Sequence, residues 1–361
     1  MIEGIIPAEI AETPAAIRET LAGSIDAARR AASALRSRGV TRIYVIGNGT
    51  SYHSSLAAAT LYRRHALPDE PVVVALTAGE FRNYLPALGP KDAVVGISAS
   101  GEFRDVVAVV EALKGRVPTV AIVHVPGSTL DRIADHVVMS AGGPSRVPVM
   151  TKTFGATLVA TELVLAELLG GKRGALIRAS IARAADHASA AIAAAEPRVA
   201  ALAASLAATR HIFVVGSGAA QPAALEAALK LKEMAILHAE GTESWEMASG
   251  VATIVDAESV VVALAPHGPG CAATVDVARH AAGWGARVIE VAPAASIEGA
   301  ELFPIPAAAE EDQAPLTAVP PIAMLAFALA RRRGYDPDHP GWVERYHSQG
   351  LRHIVGVGEE V

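Results

Sequence analysis

Short apolar runs alternate along the chain with longer stretches whose apolar residues recur at helical spacing. Long helical patterns at Pro14–Arg38 and Ile177–Thr209 precede β-branched runs that begin at Arg42 and His211. The further predicted strands are Val72–Leu76, Ala93–Ile97, Val117–Val123, His136–Met139, Ser259–Leu264, Arg287–Val291 and Leu302–Ile305. Because most of these runs are apolar throughout, they predict parallel strands in sheets that helices cover on both faces.

The pattern occurs twice in the chain. Arg42–Ser51 (RIYVIGNGTS) and His211–Ala220 (HIFVVGSGAA) both pass from a β-branched strand through Gly-x-Gly into an alanine-rich helix. The glycine-rich segment Leu169–Gly174 stands between the two halves. We therefore predict an α/β protein made by duplication, with two doubly wound parallel-sheet domains in tandem at residues 1–172 and 173–361.

Composition and charge exclude several classes of partner. A net charge of −6 over 361 residues argues against a general nucleic-acid binder, since phosphate backbones require a basic surface. No uninterrupted apolar run reaches the roughly 18 residues that a membrane span needs. The first ten residues, MIEGIIPAEI, lack the basic segment of a secretory signal. We expect no nucleic-acid or membrane partner, and a cytoplasmic location.

The sequence also disfavours metals and cofactors. Cys271 is the only cysteine, and the twelve histidines show no metal-binding spacing. Both Gly-x-Gly turns lack the third glycine of a dinucleotide-binding motif, because Tyr52 and Gln221 occupy that position. The second strand, which ends near Leu76, is not directly followed by an acidic residue that could hydrogen-bond a ribose. We expect no metal and no NAD, FAD or other cofactor.

The helical segment Leu225–Glu233 (LEAALKLKE) carries the most informative chemistry. Helical spacing places Glu226, Lys230 and Glu233 on one face of an otherwise apolar helix. A carboxylate beside a cation can abstract a proton next to a carbonyl group, and the ammonium can stabilise the resulting oxyanion. The same spacing suits a solvated row of ion pairs, each contributing about 0.3–0.5 kcal/mol. Spacing alone leaves both interpretations open.

Small hydroxylated residues gather where predicted strands end. The loop GISASGEFRD brings Ser98, Ser100 and Gly101 to a helix N-terminus, where hydroxyls and backbone amides together bind anions. One capping serine would explain one hydroxyl, whereas two with a glycine favour an anion site. Thr50 and Ser51 are expected at the same sheet edge, where open α/β sheets bind ligands. A sugar phosphate suits this set better than a flat aromatic ligand.

With these residues together, the chain resembles the SIS (sugar isomerase) family over essentially its whole length. Within that family it is most similar to the isomerase half of the glutamine–fructose-6-phosphate aminotransferases and to stand-alone aminosugar-phosphate deaminases. The family-like segments are GNGTSYHSSLAAATLY, GEFRNY, ISASGE, GSTLDRIADHVV, MTKTFGATL, ALEAALKLKEMAILHAE and GYDPDHP. The resemblance implies two SIS domains, a homodimer, and a phosphorylated hexose or aminohexose as ligand.

The resemblance also implies roles for individual residues. Glu233 matches the base that moves a proton between C1 and C2 of the sugar, and Lys230 and Glu226 match its companions. We expect Lys230 to polarise the carbonyl oxygen. The residues that the resemblance implies for substrate and phosphate binding are Gly49, Thr50, Ser51, Ser98, Ala99, Ser100 and Gly101.

The sequence departs from the family pattern at several functional positions. Phe103 replaces the last hydroxyl of the phosphate loop, and Ser249 stands where the family has its ring-opening histidine. Arg345 occupies the place of the tail lysine that forms an imine with the sugar, and a guanidinium cannot form one. We therefore place Arg345 among the substrate-binding residues, and favour His347 as the group that opens the ring. Ile2 stands where the aminotransferases carry their glutaminase cysteine, so we expect no ammonia release from glutamine.

These features favour an aminosugar-phosphate deaminase coupled to aldose–ketose isomerisation. Two alternatives use the same residues: a fructosamine-6-phosphate deglycase and a plain phosphosugar isomerase. A third is a non-catalytic sugar-phosphate-binding regulator, which the changes at Phe103, Ser249 and Arg345 would suit and the intact Glu226–Lys230–Glu233 row would not. An enzyme acting on an unphosphorylated sugar would also suit Phe103.

Overall fold

A computed structural model of the chain describes residues 3–343. Within this range the chain forms two compact units: residues 15–182 with 341–343, the first unit, and residues 3–14 with 183–340, the second unit. The division falls inside two long helices, α1 (Ile5–Ser37) and α7 (Gly171–Ser205). Residues 3–14 group with the second half of the chain because the Asp338 carboxylate accepts hydrogen bonds from the first N–H groups of α1.

Five parallel strands form the sheet of the first unit, in the order β2-β1-β3-β4-β5. They are β1 (Arg42–Gly47), β2 (Val72–Thr77), β3 (Asp92–Ile97), β4 (Thr119–Val123) and β5 (His136–Met139). The helices between and after them are α2 (Thr50–His65), α3 (Ala78–Asn83), α4 (Arg104–Leu113), α5 (Thr129–Ile133) and α6 (Lys152–Leu169). The valines of α4 pack against Phe81 and the apolar side chains of the strands.

The second unit repeats this plan, with parallel strands in the order β10-β9-β8-β6-β7. Its strands are β6 (His211–Val215), β7 (His238–Thr242), β8 (Val260–Leu264), β9 (Arg287–Ala292) and β10 (Glu301–Pro304). Its further helices are α8 (Ala220–Ala235), α9 (Ser244–Ser249), α10 (Cys271–Gly283), α11 (Ala314–Thr317) and α12 (Val319–Arg332), with 3₁₀ turns at Val251–Ile254 and Glu311–Gln313.

The structure confirms the predicted fold class of two doubly wound parallel-sheet domains in tandem. β6 and β7 correspond to β1 and β2, and β8, β9 and β10 correspond to β3, β4 and β5. Strand β7 was not predicted. Its sequence, HAEGT, has no β-branched run from which a strand would be predicted, and it lies at the edge of the sheet, where it pairs only with β6.

One stretch of the described residues, Glu311–Arg332, passes the length and hydropathy test for a membrane-spanning helix. Its apolar window is 94% buried within the protein, as the core helix of a folded domain would be. The hydropathy of this stretch is therefore accounted for by its packing in the second unit, where α12 contacts α8.

Candidate functional site

The charged row predicted on one helix face lies on α8, which packs against β6, β7 and α12. Lys230 Nζ lies 2.6 Å from Glu233 Oε2 and 3.1 Å from Glu226 Oε1. The side chains of Glu226 and Lys230 are 0% and 1% exposed, whereas that of Glu233 is 24% exposed. The row is therefore not a solvated stripe of ion pairs. It is a buried ammonium between two carboxylates, of which only Glu233 reaches the surface of the unit.

The two carboxylates determine the charge state of Lys230. Burial by itself would lower the pKa of this ammonium, but the attraction of Glu226 and Glu233 outweighs burial and raises the pKa above its ordinary value. Lys230 is therefore protonated at neutral pH. Only a neutral amine attacks a carbonyl carbon, so the structure holds Lys230 in a form that does not make imines.

Helix α8 ends in an unusual backbone conformation close to Glu233. Ile236 has φ 50° and ψ 48°, and it is the only non-glycine residue with positive φ among residues 3–343. A β-branched residue is strained in this left-handed region. The turn sends the chain directly into β7, which begins two residues later. Backbone strain thus lies three residues after the proposed base.

The predicted phosphate loop of the first unit follows β3 and leads into α4. The hydroxyl oxygen of Ser98 accepts hydrogen bonds from the N–H groups of Gly101 and Phe103, at 3.1 and 3.3 Å. That of Ser100 accepts one from Glu102 N–H at 3.2 Å. These serines therefore shape the loop, as capping residues do. Each hydroxyl keeps its own proton to donate, because its oxygen serves here as acceptor.

Gly101 allows this loop to close tightly. Its φ is 72°, and a Cβ at this position would overlap with the Ser128 side chain. The Gly101 carbonyl accepts a hydrogen bond from Leu130 N–H at 3.0 Å. Ser128 Oγ is buried and without a hydrogen-bond partner. The loop is thus packed directly onto the start of α5.

The companion loop follows β1, the strand paired with β3. Gly49 has φ 53° and precedes Thr50 and Ser51, which begin α2 and are almost fully buried. Because β1 and β3 are parallel neighbours, both loops leave the same edge of the sheet at the point where the strand order reverses. The structure thus groups the predicted hydroxyl residues within the first unit.

The remaining predicted residues fall into two groups. Glu226, Lys230 and Glu233 lie together in the second unit. Arg345 and His347 lie outside the described residues. Within residues 3–343, no group of three or more His, Cys, Asp or Glu side chains is placed to hold a metal ion.

Three buried or partly buried polar residues near the strand ends were not predicted from the sequence. Glu243 caps α9 by accepting hydrogen bonds from Trp245 and Glu246 N–H, and also accepts one from Ser217 Oγ at 2.6 Å. Glu311 and His124 were likewise missed. No motif or spacing in the sequence marks these three residues, so only their tertiary contacts show their roles.

The sequence of each half of the chain matches the same known protein family. A model of the SIS domain matches residues 36–167 and matches again residues 205–332. This chain belongs to the SIS family. The match confirms the resemblance and the presence of two SIS domains.

Two curated SIS relatives are isomerizing glutamine–fructose-6-phosphate aminotransferases. That of Gloeobacter violaceus is 35% identical over 348 residues, covering 92% of this chain and 56% of the relative. That of Pyrococcus horikoshii is 32% identical over 337 residues, covering 92% and 55%. The chain therefore spans about half the length of the curated relatives it matches.

Solved SIS structures share the same architecture. The C-terminal domain of a glucosamine-fructose-6-phosphate aminotransferase from Francisella tularensis matches with TM-score 0.86 at 23% identity, covering 94% of this chain and 98% of that chain. A putative phosphosugar isomerase from Silicibacter pomeroyi matches with TM-score 0.79 at 26% identity, covering 93% and 100%. A glucosamine-6-phosphate deaminase from Thermotoga maritima matches with TM-score 0.74 at 18% identity, covering 94% and 98%, which shows the fold alone.

Two departures from the SIS pattern can be located in the structure. Ser249 lies exposed at the end of α9, and its hydroxyl donates to Trp245 O at 2.7 Å, so it bonds back onto its own helix. Phe103 is the residue before α4, and its ring packs against the core of the first unit.

Proposed function

We propose that this chain is a SIS enzyme acting on a phosphorylated aminosugar, as a deaminase coupled to aldose–ketose isomerisation. The buried Glu226–Lys230–Glu233 row, with Glu233 as its exposed member, carries this proposal. The names of the relatives support the substrate class, since they include aminotransferases, a tagatose-6-phosphate ketose/aldose isomerase and a glucosamine-6-phosphate deaminase.

The proposed reaction is a proton transfer followed by hydrolysis. Glu233 removes the C2 proton of an open-chain 2-amino aldose, which gives an enolamine, and returns the proton to C1. The resulting C2 imine takes up water and expels ammonia. The balance is one aminoaldose phosphate and one water giving one ketose phosphate and one ammonia, with no oxidation or reduction.

Lys230 acts through Glu233 in this scheme. Its side chain is 1% exposed and its ammonium faces two carboxylates, so it is placed to orient the Glu233 carboxylate. We propose this positioning role in place of the expected direct polarisation of the substrate oxygen, because the ammonium is buried and engaged by two carboxylates. Glu226, also fully buried, holds Lys230 in place. Both are positioning residues.

The loop Ser98–Gly101 is the proposed phosphate-binding element, and Gly49, Thr50 and Ser51 are proposed to contact the sugar. The loop offers the hydroxyl protons of Ser98 and Ser100 beside the N-terminus of α4, whose helix dipole suits a dianionic phosphate. The proposal further includes a homodimer, which sedimentation equilibrium tests. It requires no cofactor.

Covalent imine chemistry of the aminotransferase type is not part of this proposal. Arg345 replaces the tail lysine in the sequence, and a guanidinium remains protonated. Lys230 is the one amine of the proposed catalytic row, and its raised pKa keeps it protonated and unreactive toward a carbonyl group. Borohydride treatment in the presence of glucosamine 6-phosphate should therefore leave the intact mass of the protein unchanged.

Replacement of Glu233 by glutamine tests the proposed base. We expect ammonia release from glucosamine 6-phosphate to fall by roughly 10²–10⁴-fold in kcat, because the isosteric amide cannot accept the C2 proton. KM for this substrate should change little. Glu258→Gln, which alters an exposed carboxylate of the same unit, is the matched control and should retain full activity.

The outcomes separate the alternatives. Wild-type activity in Glu233→Gln would remove Glu233 from the mechanism. Interconversion of aldose and ketose phosphates without ammonia release would favour the plain isomerase, and cleavage of fructosamine 6-phosphate would favour the deglycase. If aminosugar phosphates raise the Tm but are not turned over, the regulator becomes the better assignment, since stabilisation needs only binding to the native state.

A further inference from the structure

The two units share one backbone turn after their first strands. A Cβ at Gly47 would lie 2.7 Å from the Ser51 Cβ, and a Cβ at Gly216 would lie 3.0 Å from the Ala220 Cβ. The second glycine of each turn has a left-handed conformation, with φ 53° at Gly49 and 58° at Gly218. The duplication is therefore retained in the detailed geometry of this loop.

The second sheet also has a strand-order reversal, between β6 and β8. The loops that leave these strands, residues 216–220 and 265–270, correspond to the two loops of the first unit proposed to bind the substrate. Their sequences, GSGAA and APHGPG, lack the paired serines. Ala219 and Ala220 stand in place of Thr50 and Ser51, and the hydroxyl of Ser217 is used by Glu243.

A carboxylate lies where these two loops meet. Glu311 is 5% exposed, and its Oε2 accepts a hydrogen bond from Gly270 N–H at 2.7 Å. Its Oε1 accepts one from Ala219 N–H at 3.1 Å. Gly270 and Ala219 are the residues that precede α10 and α8, so the carboxylate caps two helices of 13 and 16 residues. Two helix N-termini and two N–H donors compensate the burial of this charge.

Glycines make room for the carboxylate. A Cβ at Gly218 would overlap Glu311 Oε1, one at Gly268 would lie 2.5 Å from Oε2, and one at Gly270 would lie 3.0 Å from it. The residue is also fixed by its backbone, since Glu311 N–H donates to His267 O at 2.8 Å. The surrounding loops are thus shaped to hold an anionic group.

We propose that the second unit contains an anion-binding cradle equivalent to the phosphate loop of the first unit, and that the Glu311 carboxylate is its permanent occupant. The chain would then bind phosphate groups through the first unit only, and removal of Glu311 would open a second site for inorganic phosphate. This inference rests on the proposed function in treating the 98–101 loop as the phosphate-binding element.

Replacement of Glu311 by alanine tests this proposal on the full chain. In Glu311→Ala, hydrogen exchange at the Ala219 and Gly270 amides should accelerate, and inorganic phosphate should slow it again. The Tm should rise with phosphate concentration beyond any rise in the wild type. Glu310→Ala, which changes the exposed neighbouring glutamate, should behave as the wild type. Equal responses of Glu310→Ala and Glu311→Ala to phosphate, with potassium chloride matching ionic strength, would overturn the proposal.

Two further variants keep the test decisive. If Glu311→Ala does not fold, Glu311→Gln retains the shape of the side chain but loses its charge, so we expect faster exchange at both amides and, because the amide still fills the cradle, no effect of phosphate. Unchanged exchange in Glu311→Gln would refute the cradle. Adding Ser98→Ala and Ser100→Ala to the Glu311 variant should leave one bound phosphate per chain, because that site lies in the other unit. Loss of binding in this triple variant would assign the phosphate response to the first unit instead, and would overturn the cradle without touching the proposed function.

Discussion

His124 makes the stability of the first unit depend on pH. It directly follows β4, where its backbone N–H donates to Ala99 O at 3.0 Å. Its ring nitrogen Nε2 lies 2.6 Å from Thr157 Oγ1. Its Nδ1 is buried and has no hydrogen-bond partner. Burial, with a smaller effect of the Lys152 charge, lowers the pKa of this imidazole to about 4. His124 is therefore neutral under the proposed phosphate loop at neutral pH.

The lowered pKa of His124 determines how the free energy of unfolding changes with pH, in both direction and magnitude. Between its ordinary value of 6.5 and about 4, the unfolded chain binds a proton that the folded chain does not. The free energy of unfolding should therefore be at its full value above pH 6.5, fall as the pH drops toward 4, and level off below. At 1.36 kcal/mol for each pKa unit, the total loss is about 3 kcal/mol.

Urea unfolding of the wild type and of His124→Gln between pH 8 and pH 4 measures this effect. Glutamine keeps a group that can reach Thr157 but does not titrate in this range. Hydrogen exchange at the β3 and β4 amides restricts the measurement to the first unit. We expect the difference in free energy between the two proteins to shrink progressively below pH 6.5. Parallel curves over the whole range would refute the assignment of a buried, neutral His124.

Three further changes test other features. Lys230→Met should lower the free energy of unfolding by about 3–5 kcal/mol, because it leaves a fully buried carboxylate without its cation, and a loss below 1 kcal/mol in urea unfolding would contradict that role. Ile236→Asn should raise it by about 1 kcal/mol, because asparagine tolerates the left-handed conformation better, and a lower Tm would argue against strain there. Gly101→Ala should abolish binding of hexose 6-phosphates through overlap with Ser128, whereas Gly115→Ala, with φ 73° and no atom near its Cβ, should preserve it. Equal affinities of the last two variants in calorimetry would exclude a tight loop at residue 101.

The hydrophobic pattern was enough to predict the fold class and the repeat. The apolar runs 93–97 and 120–123 lie within fully buried parallel strands, and the predicted strand His136–Met139 agrees with the structure at both ends. The central strands are visible in the sequence because burial on both faces of a sheet requires mostly apolar residues. Strand β7 (HAEGT) has no apolar or β-branched run, and the hydrophobic pattern therefore did not predict it.

Spacing also identified the α8 row but could not decide between a solvated and a buried arrangement. That decision came from packing against β6, β7 and α12, which removes Lys230 from solvent and leaves Glu233 at the surface of the unit. Tertiary structure alone placed Glu311 against the N-termini of α8 and α10. Residue spacing along the chain reports local periodicity, whereas the burial of Lys230 and the partners of Glu311 depend on segments far apart in sequence.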